Sequence, residues 1–259
     1  MSYTAAIVMV YILIFAYGLC IGSFSNVCIL RIPKKESIIP HSHCMTCGYH
    51  LRWFDMIPLF SWLFLRGRCR KCGAKISAQY PLVEGLNGLF YVLLFLWNGL
   101  NIESAVFCLF FTSVVIVSVI DFRYQEVPDS MNIAIGVLGI LECLYLWFAR
   151  RPDLKLHIIG FFSVSVLLLI IFLVSAGRAM GGGDVKLMAV CGLVLGVKEI
   201  VFGFVLGCLL ASIIHPVLMR LKKAERRLPF VPYLAAGMVI SIFAGTAFVD
   251  WYLKICGLG

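Results

Sequence analysis

Eight apolar stretches, separated by short polar turns and one long polar interval, set out the plan of this chain of 259 residues. They run over 4–30, 81–98, 102–120, 130–149, 156–176, 185–197, 199–219 and 231–253. A bilayer-crossing helix needs roughly 17 to 25 apolar residues, so each stretch reads as a span. The sixth is short and joined to the seventh only through Lys198-Glu199, which leaves the count of about eight with a margin of one or two. The first stretch lacks a basic segment before it and a small-residue cleavage site after it, and is expected to be a retained span. The predicted fold is an all-α polytopic membrane protein with a small polar loop domain between its first and second helices. Its expected divisions are 1–30 as the first membrane helix, 31–80 as the loop domain and 81–259 as a multi-helix membrane core.

Composition agrees, with 62% hydrophobic and 14% charged residues, far from the balance of a soluble domain. The net charge of +9 is mainly a statement about topology. With the N-terminus outside, seventeen of the 22 Lys and Arg fall on the inner loops, as the positive-inside rule requires. Anionic lipid is the expected partner of that charge. No basic patch interleaved with aromatic residues points to nucleic acid.

The polar interval carries Cys44-x-x-Cys47 and Cys69-x-x-Cys72, with 21 residues between the pairs. Two such pairs supply four thiolates to a tetrahedral zinc ion. Gly48 and Gly73 follow the second cysteine of each pair, where a tight turn gains from a residue free to take positive φ. Two disulfides are the alternative, and a reducing cytosolic loop disfavours them. A closed four-cysteine shell argues for a structural ion, leaving His41, His43 and His50 as solvated loop residues. The other seven cysteines lie in apolar spans and are assigned to packing.

Acidic residues number only 13, so those at the membrane boundary can be weighed singly. Asp184 directly follows Gly181, Gly182 and Gly183; an acid at that depth is functional by default, and glycines let another chain approach closely. Asp121 closes the third span on the same expected side. Paired carboxylates perform acid-protease chemistry, one taking a proton from water while the other donates to the scissile carbonyl. Asp184 would sit at the electropositive start of its helix and Asp121 at the end of its own, so Asp184 is expected to carry the charge and Asp121 the proton. Asp129, after Pro128, is expected to cap the fourth span. Glu84 is expected to pair with a basic residue of the loop, and Lys186 either to stabilise Asp184 or to reach the interface. Gly181, Gly182, Gly183, Lys186 and Glu126 are the candidate substrate-binding residues. Asp55, Asp121, Glu126, Asp129 and Asp184 would together form an acidic patch. Gly192 with Gly196, and Gly203 with Gly207, are small-residue pairs suited to close helix packing.

These residues, taken in order, resemble the bacterial type IV prepilin peptidases. The resemblance is carried by Gly22-Ser23-Phe24-Ser25-Asn26-Val27 with Arg31-Ile32-Pro33, by the cysteine pairs enclosing Arg52 to Pro58 and Arg66-Gly67-Arg68, and by Tyr80-Pro81-Leu82-Val83-Glu84. Asp121 through Pro128-Asp129, Gly181 through Lys186, and Pro229-Phe230-Val231-Pro232-Tyr233 complete it. Ser25 and Met45 depart from the family pattern without touching an aspartate or a thiolate. The resemblance implies a multi-pass enzyme of the bacterial cytoplasmic membrane that cleaves the short basic leader of prepilins and pseudopilins, after a glycine, at the cytoplasmic face. It further implies N-methylation of the new terminus with S-adenosylmethionine, and Asp121 and Asp184 as the catalytic pair. A peptidase without methyltransferase activity is the nearest alternative; an ion- or proton-coupled transporter, more remote, leaves the cysteine pairs unexplained.

Overall fold

The computed structural model of the protein describes residues 3–39, 41–178, 180–221 and 228–257. Lys222, Lys223, Arg226 and Arg227, which contribute to the charge asymmetry, lie outside them. The described chain is helical: α1 (Tyr3–Arg31), α2 (Phe60–Phe64), α3 (Gln79–Asn98), α4 (Ile102–Tyr124), α5 (Asp129–Phe148), α6 (Leu154–Val174), α7 (Gly182–Leu195), α8 (Val197–Arg220) and α9 (Val231–Ile255). Among the described residues only two isolated bridges, His43 with His50 and Arg68 with Lys75, have β character. Seven of the helices are long and apolar enough to cross a membrane. The sixth apolar stretch is the exception. As α7 it has 14 residues, about 21 Å at 1.5 Å per residue, which falls short of a hydrocarbon core of about 30 Å.

Helix ends follow local chemistry. Gly99 (φ 81°) and Gly196 (φ 86°) stop α3 and α7 in the left-handed region that only glycine enters freely. Pro128 precedes α5 in an extended conformation, and α5 then starts at Asp129. Asp129 is therefore a first-turn residue and not the cap, because the proline already supplies the non-helical position.

The chain forms two compact units, one reaching to Thr112 and the other beginning at Ser113. In the first, α1 and α3 run antiparallel in backbone contact: a Cβ on Gly18 would meet Gly88 Cα at 2.8 Å, and one on Gly22 would meet Glu84 Cα at 2.7 Å. Asn26 extends the same register by donating to Tyr80 O at 3.2 Å. Polar groups inside this unit are paired, as a membrane interior demands. Thr112 donates to Asn87 Oδ1 at 2.6 Å and shares a 2.9 Å hydrogen bond with the Tyr91 hydroxyl.

In the second unit the same device recurs twice. Gly160 of α6 faces Gly192 of α7 so closely that a Cβ on Gly192 would fall 2.1 Å from the Gly160 carbonyl oxygen. Gly237 of α9 stands in the same relation to Gly203 of α8, also 2.1 Å, while Gly207 meets Leu234 Cα at 2.9 Å. The small-residue pairs thus act as expected, each against a helix adjacent in the chain. Gly136 and Gly139 of α5 lie against Val190 and Leu193 of α7, which makes α5 and α7 parallel neighbours.

These seams predict a graded response to added methyl groups. Gly192→Val or Gly237→Val, each overpacking a backbone contact, should cost about 1–3 kcal/mol or more. Gly85→Ala, whose Cβ would meet only Leu59 Cδ2 at 3.7 Å, should be nearly neutral. Thermal unfolding in detergent reads the difference as a lowered midpoint for the first two variants alone.

Candidate functional site

Two hairpin turns of the polar segment repeat one construction. Gly48 N–H donates to Cys44 O and Cys44 N–H to Tyr49 O, both at 2.9 Å; Gly73 N–H donates to Cys69 O at 2.9 Å and Cys69 N–H to Ala74 O at 2.8 Å. Gly48 (φ 67°) and Gly73 (φ 71°) take the positive φ the turns require. The four sulfurs lie within 4.8 Å of one another, with Cys44 and Cys72 at 3.9 Å and Cys47 and Cys69 at 4.0 Å. A tetrahedral shell with metal–sulfur bonds of about 2.3 Å places sulfurs about 3.8 Å apart, so the spacing fits a single ion. Backbone N–H groups of Cys47 and Thr46 lower the Cys44 thiol to about 6. For Cys72 the Ala74 N–H also lowers, but the three neighbouring sulfurs outweigh it and push the thiol up to about 11. Four thiolates at this distance need a cation.

Behind the turns an ion pair between a buried carboxylate and a half-exposed arginine braces the segment. Arg70 Nε lies 2.7 Å from Asp55 Oδ1, with the Asp55 side chain 1% exposed. Asp55 Oδ2 accepts from the Tyr49 hydroxyl and the Arg52 N–H, each at 3.3 Å. Burial alone would raise the Asp55 carboxyl. The Arg70 hydrogen bond and charge, with those two donors, outweigh it and hold the group below the usual carboxylate range. The segment also encloses a cavity of about 800 Å³ bounded by α1, α2, the first turns of α3 and the cysteine turns, with Glu36, Trp62, Tyr80 and Glu84 on its wall. That volume lies in the range of small-molecule sites.

The carboxylates of the second unit form a different arrangement. Asp121 is buried in the last turn of α4, and its Oδ2 accepts the N–H of Val231, the first residue of α9, at 3.0 Å. Asp184 stands in the first turn of α7, close enough for its charge to act on the Asp121 carboxyl. The three glycines before it differ in purpose. A Cβ on Gly183 would press on Val127 at 3.0 Å, one on Gly182 would reach Phe172 at 3.7 Å, and one on Gly181 would stand 3.7 Å from Asp184 Oδ2. Gly181 is exposed, so the approach to Asp184 is open on that side.

Other expectations are corrected. Lys186 does not serve Asp184: its Nζ lies 2.9 Å from Asp129 Oδ1, because α5 and α7 run side by side. Glu84 does not pair with a basic loop residue; its Oε2 accepts the Leu59 N–H at 2.8 Å. The acidic patch shrinks accordingly, since Asp55 is bound to Arg70 and Asp129 to Lys186, while Glu126 is exposed. Sequence reasoning missed the Val231 N–H, because a backbone donor leaves no mark in residue type. It also missed Asn132 and His215, buried polar residues with side-chain atoms that find no hydrogen-bond partner among the described residues. Asn132 lies on α5 between the Asp129–Lys186 and Gly136–Val190 contacts with α7.

Comparison with known proteins bears on both units. Residues 16–98 match the bacterial peptidase A24 N-terminal domain, and residues 108–215 match the type IV leader peptidase family. Relatives named prepilin leader peptidase/N-methyltransferase include one from Xanthomonas campestris pv. campestris, 32% identical over 93% of this chain and 93% of its own length. Others are from Bacillus subtilis, 30% identical over 94% of this chain and 98% of its own, and Pseudomonas aeruginosa, 30% identical over 93% and 92%. No solved structure matches.

The Asp55–Arg70 pair carries a pH prediction with a definite sign. A depressed carboxyl contributes stability that is complete above its unfolded value of about 3.9 and is lost as the pH falls through the lower folded value, so the brace is intact at neutral pH. Arg70→Leu at pH 7 should therefore weaken it by about 1–3 kcal/mol, the cost of a buried acceptor left unsatisfied. Hydrogen exchange should show faster amides in residues 41–76 and unchanged ones in α8 and α9.

Proposed function

The chain belongs to the type IV leader peptidase family, and on that premise we propose that it is an aspartic endopeptidase that removes the short basic leader of prepilins or pseudopilins, after a glycine, at the cytoplasmic membrane face. Asp121 and Asp184 are its catalytic residues. The observation that carries this reading is their placement at the end of α4 and the start of α7, within electrostatic reach, beside an exposed glycine. Asp184, at the electropositive end of α7, takes a proton from the attacking water. Asp121 accepts Val231 N–H on Oδ2, which leaves Oδ1 to give its proton to the scissile carbonyl oxygen. Breakdown of the tetrahedral intermediate returns the Asp184 proton to the departing amine and a proton from the intermediate's hydroxyl to Asp121. Gly181, Gly182 and Gly183 let the extended substrate backbone lie beside Asp184, and Glu126 receives a basic leader residue. Lys186 acts indirectly, tying α7 to α5 through Asp129.

In this reading residues 1–30 anchor, 31–80 form the loop domain and 81–259 hold the protease core, with the N-terminus outside a bacterial cytoplasmic membrane. Cys44, Cys47, Cys69 and Cys72 hold a structural Zn2+. A loop of this size has little core of its own, so the ion supplies much of its folding free energy. The second activity is N-methylation of the new terminus. S-adenosylmethionine, when bound, supplies an electrophilic methyl group. The cavity of the first unit offers it aromatic surface from Trp62 and Tyr80 and carboxylates from Glu36 and Glu84 to face its positive charge.

Purified protein incubated with a prepilin should convert it to the mature mass, and to a once-methylated product when S-adenosylmethionine is added. Asp121→Asn and Asp184→Asn should each reduce cleavage by several orders of magnitude while leaving the protein folded; full activity in either disproves the pair. Elemental analysis should find one zinc per chain in the wild type and much less in Cys44→Ser/Cys72→Ser, whose loop should become sensitive to protease.

A further inference from the structure

The short helix α2 has two faces in different company. On the inner face the Trp62 indole N–H donates to Ile76 O at 3.3 Å, and its ring closes on Gly67, where a Cβ would lie 2.8 Å away. On the outer face Phe60, Leu63 and Phe64, at helical spacing, are exposed, Phe64 to 81%. The residues leading into α2 add exposed Trp53, at 75%, with Met56 and Ile57. A contiguous apolar surface of this kind marks an interaction site.

Its depth is set by the membrane helices. Leu59, directly before α2, donates its N–H to Glu84 Oε2 of α3 at 2.8 Å. Glu84 in turn packs on Gly22 of α1. From Gly22 to Leu30, α1 carries no charged residue and Arg31 is its first cation, so Gly22 and Glu84 lie about 12 Å along the helix from that apolar boundary at 1.5 Å per residue. Helix α2 therefore begins beside the apolar length of two membrane helices and not above them. Leu82 and Leu86 of α3 flank that level and are exposed as well. Leu59 is held at φ 61°, a left-handed conformation that a non-glycine residue keeps only where its surroundings over-determine it.

The backbone of the segment suits a medium without water. Ser61 N–H bonds to Ile57 O, Leu63 N–H to Leu59 O, Leu65 N–H to Ser61 O and Gly67 N–H to Trp62 O, which satisfies these four donors within the segment, as hydrocarbon requires. Arg52, Arg66 and Arg68 bracket the segment and are exposed, with stems long enough to reach headgroup phosphates.

We infer that residues 53–64 are a lipid-inserted wedge: Trp53, Met56, Ile57, Phe60, Leu63 and Phe64 are covered by phospholipid acyl chains of the leaflet on that side. The wedge wall is shared, since Ser61 and Trp62 line the cavity of the first unit. The cavity is thus separated from lipid by one turn of helix.

Photocrosslinking tests this directly. Benzoylphenylalanine replaces Phe64 or, in a second variant, Leu63, in the full chain reconstituted into vesicles of phosphatidylethanolamine and phosphatidylglycerol. Phe64 is already an exposed aromatic, so the exchange disturbs no packing. Leu86 serves as the lipid-facing reference and exposed Lys71 as the aqueous one. Intact-mass analysis after irradiation should show phospholipid adducts at 63 and 64 at a yield comparable with Leu86 and several-fold above Lys71. Adducts at Leu86 with none at 63 or 64, or crosslinks there joining two copies of the chain, would overturn the wedge.

Discussion

Lipid removes the force that drives apolar helices together in water, and backbone contact at glycine replaces it here. Three antiparallel pairs depend on it: α1 with α3 at Gly18 and Gly22, α6 with α7 at Gly160 and Gly192, and α8 with α9 at Gly203, Gly207 and Gly237. Each seam brings peptide dipoles within contact distance and fixes register to a single residue. Asp184 of α7 and Val231 of α9, the donor to Asp121, sit at the ends of these locked helices. The Gly207–Leu234 contact lies one turn from Val231, whose N–H reaches Asp121. At the start of α7, Gly183 rests on Val127 and sets the position of Asp184.

Much of this was legible in the sequence, and the reason differs by element. Span positions follow from apolar length, because only helices and closed barrels satisfy the backbone in hydrocarbon. The cysteine turns follow from spacing and from Gly48 and Gly73, because their geometry is local. What depends on tertiary neighbours was not legible. Lys186 stands two residues from Asp184 yet bonds to Asp129, 57 residues away, since α5 and α7 are parallel and adjacent. Glu84 receives a backbone N–H and no cation; residue type reveals charges but not which carbonyls and amides a fold leaves open. The sixth apolar stretch already read as short, and the fold shows why it stops: Gly196, at φ 86°, ends α7.

Two kinds of buried acid therefore coexist with different uses. Asp55 is fully engaged by Arg70, Tyr49 and the Arg52 N–H, and belongs to structure. Among the described residues Asp121 accepts one backbone N–H, and Asp184 stands in a half-buried turn beside an exposed glycine. An acid with unspent capacity, near another acid and open to an extended chain, is what proton transfer to a peptide needs. Both acids lie within residues 108–215, which match the type IV leader peptidase family, whereas the donor to Asp121 comes from residue 231.

The central claim is that Asp121 and Asp184 act as one catalytic unit. Cleavage rates of a prepilin by the wild type, Asp121→Asn, Asp184→Asn and the double variant test it most directly. Residues that work as a unit show losses that do not add, so the double variant should be no slower than the more damaged single one. Rate losses that multiply in the double variant would mean that the two carboxylates act independently, and would contradict the account.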